Sequence, residues 1–204
     1  MQLAHLPTAD QRSAEILAAV RMAFVEKGFD GASMQDLARA AGISVGNFYR
    51  YFPSKSAIIQ ALIAADVAMI NYDFAEVIAS TTPMASLRAM ISQRIDDQCD
   101  ADTGALWAEI EAAARRSPEI GHAACRVEED VLSCLNRVFA AETGLSPATC
   151  AARFAAPALF IMMLFKAATS IDRTPAATRT DLKAHILRAI DQTLADIGHS
   201  ARKA

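Results

Sequence analysis

Apolar residues recur every three to four positions along most of the chain, and no stretch alternates convincingly between apolar and polar residues. This spacing is typical of helices packed on one face and not of strands. The first predicted helix covers residues 10–27 and ends at Gly28. Its apolar face consists of Ile16, Leu17, Val20, Phe24 and Val25. The pattern predicts an all-α fold.

Further helix starts are marked by a Ser or Thr directly before a proline. The hydroxyl accepts a hydrogen bond from a free amide of the first turn, where proline loses nothing because its missing N–H would have no partner. Four pairs have this form: Thr82-Pro83, Ser117-Pro118, Ser146-Pro147 and Thr174-Pro175. Between them lie stretches of roughly 25–35 residues with helical spacing.

Shorter segments precede Thr82. Ser33 with Asp36 resembles a capping box, which opens a short helix that stops at Gly42. A second short helix is predicted from Ser44 to about Tyr51, and a long apolar helix follows Pro53 and Ser54.

Composition narrows the class of protein. The 204 residues fit one or two domains, and 53% apolar residues exclude wholesale disorder. A formal net charge of −3 excludes a histone-like protein but not a local basic surface. The N-terminal residues have no secretory signal pattern, and the longest nearly unbroken apolar run, Phe154–Phe165, contains Pro157 and is short for a bilayer span. We therefore expect a cytoplasmic protein with no membrane partner. Its four cysteines, expected to be reduced thiols, are Cys99, Cys125, Cys134 and Cys150.

The segment Ser33–Lys55 has the pattern of a helix-turn-helix. Two helices of about eight residues are joined by Ala41-Gly42-Ile43, where glycine provides the left-handed conformation of a sharp corner. The expected small core consists of Met34, Leu37, Ala38, Ile43, Phe48 and Phe52. In this arrangement the second helix is free to enter a DNA major groove.

The remaining residues of the segment suit DNA contacts. Arginine binds guanine bidentately, asparagine suits adenine, and valine contacts a thymine methyl, while Gly46 permits close approach. The candidate base contacts are Val45, Gly46, Asn47 and Arg50. The candidate backbone contacts are Ser33, Ser44, Tyr49 and Lys55. Two short capped helices around a glycine also occur in proteins that do not bind DNA, so spacing alone leaves both interpretations open.

The residue string resembles the TetR family of transcriptional repressors over roughly residues 10–65. The matching motifs are Gly42-Ile43-Ser44 and the run Phe48-Tyr49-Arg50-Tyr51-Phe52-Pro53-Ser54-Lys55. Two positions depart conservatively from the family pattern: threonine is common where this chain has Ser33, and valine or isoleucine is more usual where it has Met34. The resemblance implies the contacts named above, a homodimer, an inverted-repeat operator and a C-terminal helical domain that binds a small-molecule inducer.

Residues 56–204 show no catalytic or metal motif. There is no phosphate-binding glycine loop and no nucleophile elbow, and the four histidines are scattered. Asp102-Thr103-Gly104 lacks the flanking strands of an aspartic protease. We expect no metal, no cofactor and no enzyme activity.

A small-molecule effector pocket is expected among the C-terminal helices. Its candidate residues are Phe74, Ile91, Ile95, Trp107, Glu111, Cys125, Glu128 and Leu132. A buried Glu111 carboxylate beside Trp107 would suit a cationic or hydrogen-bonding ligand. Alternatively these are ordinary core residues, and Glu111 pairs with Arg115 at the surface.

The last two helices are expected to form the dimer surface as a four-helix bundle about a two-fold axis. The candidate interface residues are Phe160, Met163, Leu182, Ile186, Ile190 and Leu194. Leu182, Ile186, Ile190 and Leu194 form an apolar stripe at spacings of four residues. The alternative is that this stripe belongs to the core of one monomer. Pro157 is expected to kink or interrupt its helix.

The sequence thus predicts an N-terminal DNA-binding domain, residues 8–55, and an effector-binding and dimerisation domain, residues 56–204. The function that follows is a ligand-released repressor that binds DNA as a homodimer. Two alternatives stay open: a helical small-molecule-binding or adaptor protein whose helix-turn-helix is only structural, and an enzyme that uses the helical pocket. An activating or architectural role on DNA also stays open.

Overall fold

A computed structural model describes residues 9–98, 101–168, 171 and 174–201, with side chains described for most of them. Over these ranges the chain forms ten helices and no strand. The helices are α1 Ala9–Lys27, α2 Met34–Ala40, α3 Val45–Tyr51, α4 Lys55–Ala79, α5 Pro83–Gln98, α6 Ala101–Ala114, α7 Pro118–Thr143, α8 Pro147–Arg153, α9 Ala155–Ala168 and α10 Ala176–Ala201. His5, one of the four histidines, and Cys99 lie outside the described residues.

Local capping chemistry sets most of these boundaries. Helix α1 ends at Gly28, whose φ of 70° is the left-handed conformation that closes a helix and that glycine adopts without strain. Proline is the first residue of α5, α7 and α8, as the hydroxyl–proline pairs predict. At the fourth pair, Pro175 lies one residue before the start of α10.

The stretch from Ser146 to Ala168 is one predicted helix but two observed ones. Helix α8 ends at Arg153 and α9 begins at Ala155, with a bend of 77° between them. Pro157 has no N–H to bond the carbonyl of Arg153 and its ring would clash there, so a continuous helix cannot pass this point. The interruption expected from Pro157 therefore lies one turn before it.

The chain divides into two compact units. The first runs to Ala65 and includes Leu106–Ala124, while the second comprises Asp66–Ala105 and the chain from Cys125 onward. On the predicted inner face of α1, the first unit buries Ile16, Val20 and Phe24, while Leu17 and Val25 are partly buried. A domain boundary after residue 55 differs from this division because α4 continues through it and residues 106–124 join the first unit. The two-domain limits of 8–55 and 56–204 stay a prediction.

The core of the second unit is formed by α4, α5, α7, α8, α9 and α10. Its largest members include Phe74, Leu87, Phe139 and Phe154, with Phe139 and Phe154 in edge-to-face contact at 6.0 Å between ring centroids. Helix α4, with 25 residues, is long and apolar enough to cross a bilayer, as is the bent pair α8–α9 if taken as one span. A core helix of a soluble protein meets the same criterion, so the expected absence of a membrane partner stays a prediction.

Candidate nucleic-acid interface

Helix α3 presents a polar face outward because one large residue anchors it inward. Phe48 is fully buried and lies 5.8 Å from the ring centroid of Phe52. The four candidate base contacts, Val45, Gly46, Asn47 and Arg50, are all exposed, and so is Tyr49 at 48% of its surface. Asn47 and Arg50, with Tyr51, line an open depression in this surface. The helix therefore has the shape and chemistry of a groove-reading element.

The corner between α2 and α3 is fixed by backbone hydrogen bonds. Gly42, with φ of 65°, donates its N–H to the carbonyl of Arg39 at 3.1 Å, and Ile43 donates to the carbonyl of Ala38 at 3.1 Å. Ala38 is fully buried, so the two helices cross closely. The Ser44 hydroxyl accepts the N–H of Asn47 at 3.3 Å and caps α3.

The start of α2 is held by a reciprocal cap. The Ser33 hydroxyl accepts the N–H of Asp36 at 3.1 Å, and the Asp36 carboxylate accepts the N–H of Ser33 at 3.0 Å and its O–H at 2.5 Å. Lys27 donates to the same carboxylate at 2.6 Å. The Lys27 ammonium and the Ser33 hydroxyl hold the pKa of Asp36 well below its ordinary value. The proton of the Ser33 hydroxyl, a candidate phosphate contact, is thus engaged within the chain.

Lys55 is directed at the turn between α1 and α2. Its Nζ donates to the carbonyls of Phe29, Asp30 and Ala32 at 2.8, 3.2 and 2.9 Å, and it lies 5.1 Å from the centroid of the Phe29 ring. An ammonium group has three N–H donors, so these three carbonyls engage all of them. A phosphate contact by Lys55 would require at least one of these hydrogen bonds to break.

Two side chains that sequence reasoning missed hold the same turn. The Glu109 Oε2 accepts the N–H of Phe29 at 2.8 Å, and the Arg116 Nη2 lies 2.9 Å from the Asp30 Oδ2. Both residues lie in Leu106–Ala124, the segment that folds with the first unit. No local pattern indicates these contacts, because the partners are 80 and 86 residues apart in the chain.

The expected effector residues fall in different surroundings. Phe74, Ile91 and Ile95 are buried in the core of the second unit, against which Leu132 packs partly buried. In the same unit Cys125 is exposed, and Glu128 forms an ion pair with Lys166.

In the first unit, Trp107 is half-buried. Glu111 is exposed. The expectation of a buried carboxylate beside the indole is therefore wrong, because Glu111 faces outward one turn beyond Trp107.

The expected dimer residues divide into two groups. Phe160, Met163 and Leu182 are exposed at 45%, 59% and 39%, and Leu159 on α9 is exposed as well. The other three, Ile186, Ile190 and Leu194, are buried in the core of their own unit. Their assignment to the interface is wrong, because a stripe at spacings of four residues marks any buried helix face, including one covered by the same chain.

The comparisons with known proteins concern this N-terminal region first. The profile of bacterial regulatory proteins of the TetR family matches residues 16–62. Over 57 residues the chain is 47% identical to the HTH-type transcriptional regulator EthR of Mycolicibacterium smegmatis. Residues 16–62 are thus similar to the N-terminal region of TetR-family regulators.

The sequence match spans 28% of this chain and 26% of EthR, so it concerns about a quarter of each protein. Whole-chain similarity is seen among solved structures. GusR of Salmonella enterica superposes with a TM-score of 0.71 at 20% identity, covering 94% of this chain and 97% of that one. A SmeT–triclosan complex gives a TM-score of 0.69 at 19% identity, covering 91% and 90%. The predicted fold, an N-terminal helix-turn-helix domain followed by a larger helical domain, is confirmed.

Proposed function

We propose that this chain is a sequence-specific DNA-binding transcriptional regulator of the TetR family. In this proposal it is a repressor that binds an inverted-repeat operator as a homodimer and leaves it when a small molecule binds. The observation that carries the proposal is the outward polar face of α3, anchored by the fully buried Phe48. A regulator of this kind works in the cytoplasm, where it meets the chromosome. It requires no cofactor and no catalytic group.

The proposed base contacts are Val45, Gly46, Asn47 and Arg50, all on the exposed face of α3. The proposed backbone contacts are Ser33, Ser44 and Tyr49, which are likewise exposed. Ser33 precedes α2, Ser44 precedes α3, and Tyr49 lies within α3. The phosphate contact of Lys55 stays a prediction that competes with the three carbonyls its ammonium already binds.

The proposed dimer forms through the exposed apolar side chains of α9 and α10. Leu159, Phe160, Met163 and Leu182 leave an amount of apolar surface that a second copy would cover. A two-fold dimer would present two α3 helices roughly 34–36 Å apart, one turn of DNA.

Met163→Glu tests this dimer because it places a charge in the proposed interface. We expect light scattering to show monomers for this variant and dimers for the control Met22→Glu, which alters an exposed methionine of α1. A dimeric Met163→Glu protein would contradict the proposed surface.

The effector is proposed to bind among the helices of the C-terminal domain. SmeT, a protein of similar fold, has been solved with triclosan. Of the residues predicted from the sequence, the second unit contains Phe74, Ile91, Ile95, Cys125, Glu128 and Leu132, and these are the ones proposed here. In this mechanism the effector lowers operator affinity by its preference for a state that does not fit the operator.

In vitro selection from random DNA duplexes with the full chain tests the proposed function. We expect an inverted repeat to be enriched, and a compound screen on that site to find molecules that release the protein. If no sequence is enriched, the alternative gains support: a small-molecule-binding or adaptor protein whose helix-turn-helix is structural. The internal engagement of Ser33 and Lys55 is the observation that favours this alternative.

A further inference from the structure

The turn between α1 and α2, residues Gly28–Ala32, is bound from two sides at a single residue. The N–H of Phe29 donates to the Glu109 carboxylate of α6, and the carbonyl of Phe29 accepts from the Lys55 ammonium of α4. Both hydrogen bonds are partly buried. Hydrogen bonds to charged groups are stronger than neutral ones, and partial burial reduces competition from water.

The turn has little freedom to move away from these partners. The Phe29 ring lies 5.5 Å from the ring of Phe24, and Ala32 is fully buried. Gly31 lies so close to the carbonyl of Lys27 that an added Cβ would come within 2.3 Å of it. The turn leads directly into Ser33, the cap of α2. Its position therefore sets where α2, and α3 after it, begin.

The contact with Glu109 joins a distant part of the sequence to this turn within one compact unit. Arg116 binds Asp30 in the same turn, and Glu119 accepts a hydrogen bond from Ser56 at the start of α4 at 2.8 Å. The segment Leu106–Ala124 thus contacts both elements that flank the helix-turn-helix. Of its side chains, Glu109 alone among these three binds the turn backbone itself.

We propose that Glu109 is a positioning residue for DNA binding: acting opposite Lys55 on the two sides of Phe29, it fixes the turn that places α2 and α3 for operator recognition. The inference rests on the proposed function. It also gives Lys55 a different role: its ammonium holds the turn and does not contact a phosphate directly.

The test compares Glu109→Leu, which removes the acceptor, with Glu109→Gln, which keeps an amide oxygen able to accept the Phe29 N–H. Glu129→Leu, at an exposed carboxylate of α7, is the control. We expect Glu109→Leu to weaken binding to the selected operator about tenfold. Affinity for random duplex should change less than twofold, because loose electrostatic binding does not require an exact fit. Glu109→Gln should restore most of the operator affinity, and amide hydrogen exchange should accelerate at Phe29 in the leucine variant only.

The inference would be overturned if Glu109→Leu binds the operator as tightly as the control Glu129→Leu does. The inference would also be overturned if Glu109→Gln binds the operator no more tightly than Glu109→Leu. A third contradicting outcome is that the affinity for the operator, the affinity for random duplex and the unfolding midpoint all fall together in Glu109→Leu. A wild-type chain that enriches no duplex would instead remove the proposed function, and this inference with it.

Lys55→Met provides the second arm. If Lys55 and Glu109 act through the same turn, the double variant should lose clearly less affinity than the product of the two single losses. The slope of log affinity against log salt should stay as in wild type. A slope reduced by about one in Lys55→Met would mean a direct phosphate contact and would contradict the role given to Lys55 here.

Discussion

The α1–α2 turn and helix α3 lie in the same unit, but their polar groups face different partners. Those around the turn bind the chain itself, and those of α3 face outward. Around the turn, Asp36, Lys55 and Glu109 direct their charges at groups of the chain itself. On α3, Asn47 and Arg50 point away from it, with only Phe48 buried. Polar residues near a helix-turn-helix thus divide into those that hold the motif and those that it presents to a partner. Substitutions in the two regions should separate stability from recognition.

The largest effect is expected for Gly31→Ala in the turn. The new Cβ would lie 2.3 Å from the Lys27 carbonyl oxygen, a backbone atom that cannot move alone. We expect the free energy of unfolding to fall by about 3 kcal/mol, the upper part of the range for steric overpacking. Urea denaturation followed by circular dichroism measures it. An unchanged midpoint would mean that the turn is not constrained as described.

Arg50→Ala should act on recognition alone. Its exposed guanidinium contributes nothing to the buried core, and a bidentate base contact is worth about 1–3 kcal/mol. We expect operator affinity to fall by that amount, base preference to relax at one position of each half-site, and the unfolding midpoint to stay unchanged. Repeating the DNA selection with the variant measures the preference. Arg126→Ala, at an exposed arginine of α7, should change neither quantity.

Gly46→Ala should move stability and recognition in opposite directions. Nothing lies within 4 Å of a Cβ added at Gly46, so alanine should stabilise α3 by about 0.5–1 kcal/mol. The same methyl group would separate α3 from the base edges and weaken operator binding. Thermal unfolding and gel-shift titration measure the two effects. If operator binding improves together with stability, close approach at Gly46 is not used.

The smallest effect concerns acid and the Asp36 cap. Lys27 and Ser33 lower the pKa of Asp36 in the folded chain, so its contribution to stability is present above the ordinary pKa of about 3.9 and is lost as the pH falls toward the folded-state pKa. Asp36→Asn should therefore destabilise the chain at neutral pH, and this difference should shrink below about pH 4. Denaturation at pH 7 and at about pH 3 measures it. A difference that grows on acidification would contradict the sign of the shift.

Local chemistry explains what could be predicted from the sequence. The Ser33 cap, the Gly42 corner and the proline starts of α5, α7 and α8 depend on neighbours within four residues, so their residue types suffice. The side of α3 that faces inward could be predicted from residue types as well, because Phe48 is the one large apolar residue in the middle of a polar segment.

Long-range pairing explains what could not. Glu109 and Phe29 are separated by 80 residues, and nothing near either of them indicates the other. Lys55 has the residue type of a phosphate ligand, and only the fold shows three carbonyls within its reach. The periodicity of α10 could not separate Ile190, which its own chain covers, from Leu182, which remains exposed, because both lie on one stripe.

The folding of Leu106–Ala124 with the first unit bears on protein engineering. A chimera that joins residues 8–55 to another regulator's sensing module would carry Phe29 and Asp30 without the acid and the arginine that bind them here. The graft would then depend on whichever side chains the recipient offers at those positions. Transplanting the DNA-reading specificity of this chain therefore means matching the recipient at Glu109 and Arg116 as well as copying the motif.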